Sequence, residues 1–157
     1  MNIKLIVIGK TKSKFLLDGE NEYHKRLKHY CKFSELIIPD IKNGGKLSKK
    51  ELKEKEGNLI LKSLKNSDYV ILLDDKGLEL SSIGFSEFLN KKMVSSANEL
   101  VFIIGGAFGF SESVYRRANT KLSLSKMTFS HQTVRMIFKE QLYRAFTILK
   151  GEKYHHE

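Results

Sequence analysis

Short strand-forming runs, separated by helical patterns, set the tightest limit on how this chain folds. Residues 3–8 (IKLIVI) stop at Gly9, and residues 33–38 (FSELII) stop at Pro39, the only proline in the chain. Residues 69–73 (YVILL) run into Asp74, and residues 101–104 (VFII) end abruptly at Gly105 and Gly106. Runs this short, bounded by turn formers, read as buried strands. The segments between them read as helices. After residues 11–14 a helical pattern begins, and Phe15, Leu16, Tyr23, Leu27 and Tyr30 are expected to share its apolar face. Ser48 and Glu51 have the spacing of a capping box that opens a helix reaching about Leu64. Ser81 or Ser82 caps a helix from Ile83 to about Met93, and Ser111 caps a short one ending near Arg117. Such alternation predicts an α/β fold, a mainly parallel sheet flanked by helices.

Residues 122–124 form a further short strand before a loop at 125–130, and residues 131–150 form the last helix. There Val134, Ile137, Phe138, Leu142, Ala145, Phe146 and Leu149 recur at helical spacing, with Ser130 before and Gly151 after. Two strands therefore deliver two loops, 105–110 and 125–130, to the carboxyl ends of the sheet, where ligands of open α/β folds sit. The first loop, GGAFG, has neither the GxGxxG spacing of a dinucleotide fingerprint nor a P-loop lysine. Glycines there let backbone amides approach a ligand closely.

A chain of 157 residues suits one domain, and its net charge of +10 points to an anionic partner, nucleic acid first, against a basic surface that is merely solvated. The single cysteine, Cys31, excludes an intrachain disulfide, and the dispersed histidines suggest no metal site. No apolar run reaches the roughly 20 residues of a membrane helix, so a cytoplasmic protein without membrane attachment is expected. The Asp74-Asp75-Lys76-Gly77 stretch reads as a turn at a strand end rather than a metal site. Lys53, Glu54, Lys55 and Glu56 alternate in sign and read as a solvated helix face.

The order of several segments is more specific than any one of them. KLIVIGK at the start, KEKEG ending at Gly57, LDDKG from Leu73, IGGAFGF from Ile104, LSLSKMTFSHQTVR from Leu122, LYRAF from Leu142 and YHH from Tyr154 together resemble the RlmH family of SPOUT-class methyltransferases. The resemblance spans essentially the whole chain. It implies a SPOUT (α/β-knot) fold whose C-terminal part is threaded into a trefoil knot, a feature composition alone would never suggest. It implies methylation of N3 of a pseudouridine in 23S ribosomal RNA, with S-adenosyl-L-methionine as methyl donor. It further implies a homodimer acting on the large subunit or the assembled ribosome.

Carried over by position, the family's cofactor pocket falls on Leu73, Gly105, Leu124, Ser125, Lys126, Met127, Thr128 and Phe129. Without the resemblance, Leu73, Leu124, Met127 and Phe129 would read as ordinary core. Arg135, Tyr154 and His155 are expected on the RNA side: Arg135 against phosphate or a developing charge on a uracil carbonyl, or else in a structural salt bridge, Tyr154 closing over the base, and His155 as a proton acceptor. Lys10, Lys25, Arg26 and Arg116 are candidates for rRNA phosphate contacts. The family commonly has proline before the histidine that is His131 here. This chain has Ser130, which retains the capacity to cap the last helix. A non-catalytic ribosome-binding protein and a flavodoxin-like or nucleotide-dependent enzyme also suit the bulk pattern, and cofactor binding separates them.

Overall fold

A computed structural model describes residues 1–95 and 99–156. In chain order the elements are β1 (Asn2–Ile8), α1 (Lys14–Leu27), β2 (Lys32–Ile38), α2 (Lys49–Lys62), β3 (Tyr69–Glu79), α3 (Ser82–Val94), β4 (Leu100–Ile104), α4 (Glu112–Arg117), β5 (Thr120–Ser123) and α5 (Thr133–Leu149). The strands form a five-stranded sheet in the order β2-β1-β4-β3-β5. Every pairing is parallel. The expected parallel α/β sheet is therefore present, with strand limits within two residues of the sequence reading except in β3.

The inner strands β1, β4 and the first half of β3 are buried on both faces because their side chains are nearly all apolar, whereas the edge strand β2 leaves Lys32, Ser34, Leu36 and Ile37 exposed. In β1, Leu5 and Val7 join a core with Leu27 of α1, Phe85 and Leu89 of α3, and Phe138 and Leu142 of α5. Their neighbours Ile6 and Ile8 point the other way, into a core with Ile60 of α2 and Val114 of α4. Alternate side chains thus feed opposite layers. Phe102 at the centre is fully buried and packs on Phe138 with ring centroids 4.8 Å apart. Truncating such a residue costs about 3–5 kcal/mol.

The helix starts follow their predicted chemistry. The hydroxyls of Ser48, Ser81 and Ser111 accept from the amides of Glu51, Gly84 and Val114. Ser130 Oγ accepts from the Thr133 amide at 3.1 Å and so closes the turn that leads into α5, while Gln132, which directly precedes the helix, makes no side-chain cap bond. Among the described residues no helix is long and apolar enough to cross a membrane.

Three readings need correction. Phe15 does not share the buried face of α1: it is 74% exposed, whereas Leu16, Glu20 and Leu27 are buried. Eleven residues are three turns, which returns Leu27 above Leu16 and swings Phe15 away. Asp74 to Gly77 do not end a strand, for β3 continues to Glu79 through a register shift between Leu73 and Leu78, both opposite Leu122. Gly77 permits this, since a Cβ there would lie 2.7 Å from Leu122 backbone atoms. The local turn chemistry survives inside the strand, as the Lys76 amide donates to Asp74 Oδ1 at 2.8 Å. Finally, Glu56 is not on a solvated face: it is 7% exposed.

Candidate functional site

Parallel strands raise their following loops on one edge of the sheet, and three of these edges meet. The end of the paired part of β3 supplies Leu73, the loop after β4 supplies Gly105 and Phe108, and the loop after β5 supplies Leu124 and Phe129, around a cavity of about 600 Å³. That volume is in the range of small-molecule sites. Leu73, Gly105, Leu124, Ser125, Met127, Thr128 and Phe129 all line it, whereas the exposed Lys126 does not.

Local hydrogen bonds fix both loops. The first folds back on itself, with a bridge between Gly106 and Gly109 and the Gly109 amide donating to the Gly106 carbonyl at 3.1 Å. Gly109 has a φ of 84°, a left-handed conformation that favours glycine. In the second, the Ser123 hydroxyl donates to the Ser125 carbonyl at 2.8 Å and the Met127 amide to the Ser125 hydroxyl at 2.9 Å. These bonds leave the Met127 side chain 77% exposed at the rim. At Gly105 a Cβ would sit 3.1 Å from Phe110 and 3.3 Å from the Gly109 carbonyl oxygen. Gly109 and Phe110 line the cavity with Gly105, so a side chain at 105 would crowd its wall.

The wall also contains groups that the sequence reading passed over. Asp74, Tyr115 and His131 line the cavity, and the Tyr115 hydroxyl donates a short hydrogen bond to Asp74. Burial raises the Asp74 carboxyl, but the Tyr115 hydroxyl, the Lys76 amide, Asp75 and the charge of Lys121 together hold it below the usual carboxylate range. Burial, and then the same bond, push the Tyr115 phenol up. His131 is lowered, mainly by burial and then by the neighbouring Arg135, which favours its neutral imidazole. The LDDKG and GGAFGF segments were the available signal for Asp74 and Phe108. Tyr115 carries none outside its helix.

Arg135 has a different setting from the phosphate contact expected of it. It is 1% exposed, and its guanidinium donates to the carbonyls of Ile8 at 2.6 Å, Gly9 at 2.8 Å and His131 at 3.1 Å. It also reaches the Thr11 hydroxyl at 3.3 Å, which in turn donates to Glu20 at 2.6 Å. Glu20 and Glu35 flank Lys139, at 3.3 Å and 2.5 Å. This chain of buried polar groups ties β1, α1, β2 and α5 together, and Arg135 anchors His131, a residue of the cavity wall, through its carbonyl.

Tyr154 and His155 are absent from the cavity wall of their own chain. The Tyr154 hydroxyl donates to Glu140 at 3.0 Å, its ring packs edge-on against Tyr143, and Arg144 covers its other side at 4.7 Å. Burial, then the Tyr23 and Glu140 contacts, raise its phenol well above the ordinary value. Arg144 Nη1 lies 3.2 Å from His155 Nδ1. Both residues thus belong to a cluster of aromatic and charged side chains on α1 and α5. Large apolar side chains, Phe15 on α1 and Met127 and Phe108 at the cavity rim, are left in solvent.

Comparison with known proteins points to one family. Residues 1–155 match the model of a family described as predicted SPOUT methyltransferase. The chain is similar over its full length to curated proteins named ribosomal RNA large subunit methyltransferase H. Identity is 57% to that of Parabacteroides distasonis and 59% to that of Flavobacterium johnsoniae, each alignment covering 100% of both chains. It is 50% to that of Porphyromonas gingivalis, again with full coverage.

Proposed function

The chain belongs to the SPOUT methyltransferase family, and from that premise we propose that it methylates N3 of a pseudouridine in 23S ribosomal RNA. The methyl donor is S-adenosyl-L-methionine, and the enzyme works as a cytoplasmic homodimer on the assembled ribosome. The observation that carries the reading is the convergence of Leu73, Gly105 and the 124–129 loop on one cavity of cofactor size. Relatives at 57% and 59% identity carry the name of a large-subunit rRNA methyltransferase, which supports the substrate class.

The residues present fit the donor. Leu73, Leu124 and Phe129 offer apolar faces for an adenine ring, the Ser125 and Thr128 segments offer backbone and hydroxyl groups for its edge, and Gly105 and Gly106 leave room for the rest. Lys126 belongs to this segment by its backbone. When bound there, the donor supplies an electrophilic methyl group. The protein's contribution is to fix the two reactants in line and to favour the deprotonated base. Arg135 acts as a positioning residue, holding His131 and the ends of β1 and α5 in register.

Tyr154 and His155 reach a base only if a second subunit brings them over its partner's cavity, which is why the proposal includes a dimer. Phe15, 74% exposed, and Met127, 77% exposed, are the apolar surface such a partner would cover. The net charge of +10, with Lys10, Lys25, Arg26 and Arg116 on the surface, supplies attraction to rRNA phosphates. The test is incubation of the purified protein with S-adenosyl-L-methionine and unmodified ribosomes, followed by mass spectrometry of digested rRNA. One added methyl group on a pseudouridine is expected. Absence of methyl transfer, or a methyl on another kind of nucleotide, contradicts the proposal, and full activity of a species that sediments as a monomer contradicts the dimer.

A further inference from the structure

Methyl transfer to an imino nitrogen releases a proton, and a side chain facing the target base has to take it. A second cavity, of about 470 Å³, opens at the ends of β1 and β2. It shares Gly106, Ala107 and His131 with the first cavity, so the two spaces meet at one wall. On the far side of that wall is Glu56, projecting from α2.

Glu56 is 93% withdrawn from solvent by the complement of its 7% exposure, yet among the described residues its carboxylate has neither a hydrogen-bond nor an ion-pair partner. The side chain is withdrawn but its oxygens open onto the second cavity rather than being sealed in, which leaves a partly desolvated carboxylate within reach of a ligand there. Its position is tightly defined, because a Cβ on Gly106 would lie 2.6 Å from Oε2 and 2.8 Å from Oε1. Glycine at 106 is what lets the carboxylate lie flat against the wall between the two spaces. The charged and titratable groups facing the same cavity are Lys10 and Lys12 after β1, Asp40 after β2 and His131 before α5. Lys10 and Lys12 in its wall suit a phosphate, while the carboxylates of Glu56 and Asp40 suit an N–H donor.

We propose that this second cavity receives the target nucleobase, a uracil-type ring, and that the Glu56 carboxylate accepts its imino proton. The inference rests on the methyltransferase reading above. In the step, the N–H bond breaks, its proton passes to Glu56 and its electron pair remains on nitrogen. That pair forms the N–CH3 bond as the S–CH3 bond breaks, its pair returning to sulfur, which turns from sulfonium to neutral thioether. Glu56 then releases the proton to water. Burial, and secondly the charge of Asp40, raise the Glu56 carboxyl above the ordinary glutamate value, which makes it a better base than an exposed acid.

The experiment compares the full-length wild-type protein with Glu56→Gln. It measures single-turnover methyl transfer to ribosomes across pH, calorimetric affinity for S-adenosyl-L-methionine, and Tm. The variant is expected to lose about 100-fold or more in rate. Its cofactor affinity should stay within about twofold, its Tm should be equal or higher because an unpaired buried charge is gone, and the acidic limb of the wild-type pH profile should flatten. A variant rate within about threefold of wild type overturns the role, with His131 or His155 then the acceptor. So does a rate loss accompanied by weaker cofactor binding or a lower Tm, which would make Glu56 a packing residue. A wild-type protein that transfers no methyl at all overturns the methyltransferase reading itself, an outcome recognisable without the variant.

Discussion

Replacing Lys139 by methionine should destabilise the protein far more than loss of a surface lysine would. Lys139 and Glu20 side chains are each 2% exposed and 3.3 Å apart, and Glu35 approaches the same ammonium at 2.5 Å. Methionine fills nearly the same space but leaves Glu20 as a buried charge without its cation. Removing one partner of a buried pair costs about 3–5 kcal/mol. Here the Thr11 hydroxyl still donates to Glu20 at 2.6 Å and Arg135 remains nearby, so the lower end applies, about 3 kcal/mol. For a domain of this size each kcal/mol moves Tm by about 2–4 °C, giving a fall of about 6–12 °C. Melting followed by circular dichroism at pH 7 measures it. The double variant Lys139→Met with Glu20→Gln should recover at least about half of the loss, since the stranded charge is then gone. A single-variant fall below about 2 °C would refute the view that this pair is a buried, desolvated contact.

Two further perturbations probe the cavity. Gly105→Val places a Cβ 3.1 Å from Phe110 and pushes its methyl groups into the cavity, so affinity for S-adenosyl-L-methionine should fall by about tenfold or more while Tm drops only modestly, as read by calorimetry and melting. Tyr115→Phe removes the hydrogen bond to Asp74 and should cost about 1 kcal/mol at pH 7. Because the folded Asp74 carboxyl lies below its unfolded value, its stabilisation is present above the unfolded value and lost as pH falls through the folded one. The wild-type advantage over Tyr115→Phe should therefore shrink in acid, and chemical denaturation at several pH values would show it.

How much of this was legible in the sequence depended on whether a residue's partners lay close by. The strand cores of β1, β2 and β4 and the serine caps were readable because a run, a breaker or a three-residue spacing carries the information locally. Arg135 was not, since the carbonyls it holds lie 126 and 127 positions earlier in the chain. Lys139 and Glu56 were hidden for a related reason: Glu56 sits in an alternating charged run and Lys139 beside Glu140, and a charged residue in either setting looks solvated until the neighbouring element is in place. The tail of β3 was read as a turn because Asp-Asp-Lys-Gly has turn chemistry, which the strand retains while Gly77 closes on Leu122. The edges proposed for the cofactor were assigned by resemblance to a family; taken singly, Leu124 and Phe129 are indistinguishable from core residues.

The most direct measurement is a calorimetric titration of the purified protein with S-adenosyl-L-methionine. If Leu73, Gly105 and the 124–129 loop form the donor site, binding with a Kd near the micromolar range is expected, and Gly105→Val should abolish or greatly weaken it. No heat with the wild-type protein, or unchanged binding by the variant, would contradict the assignment of this cavity.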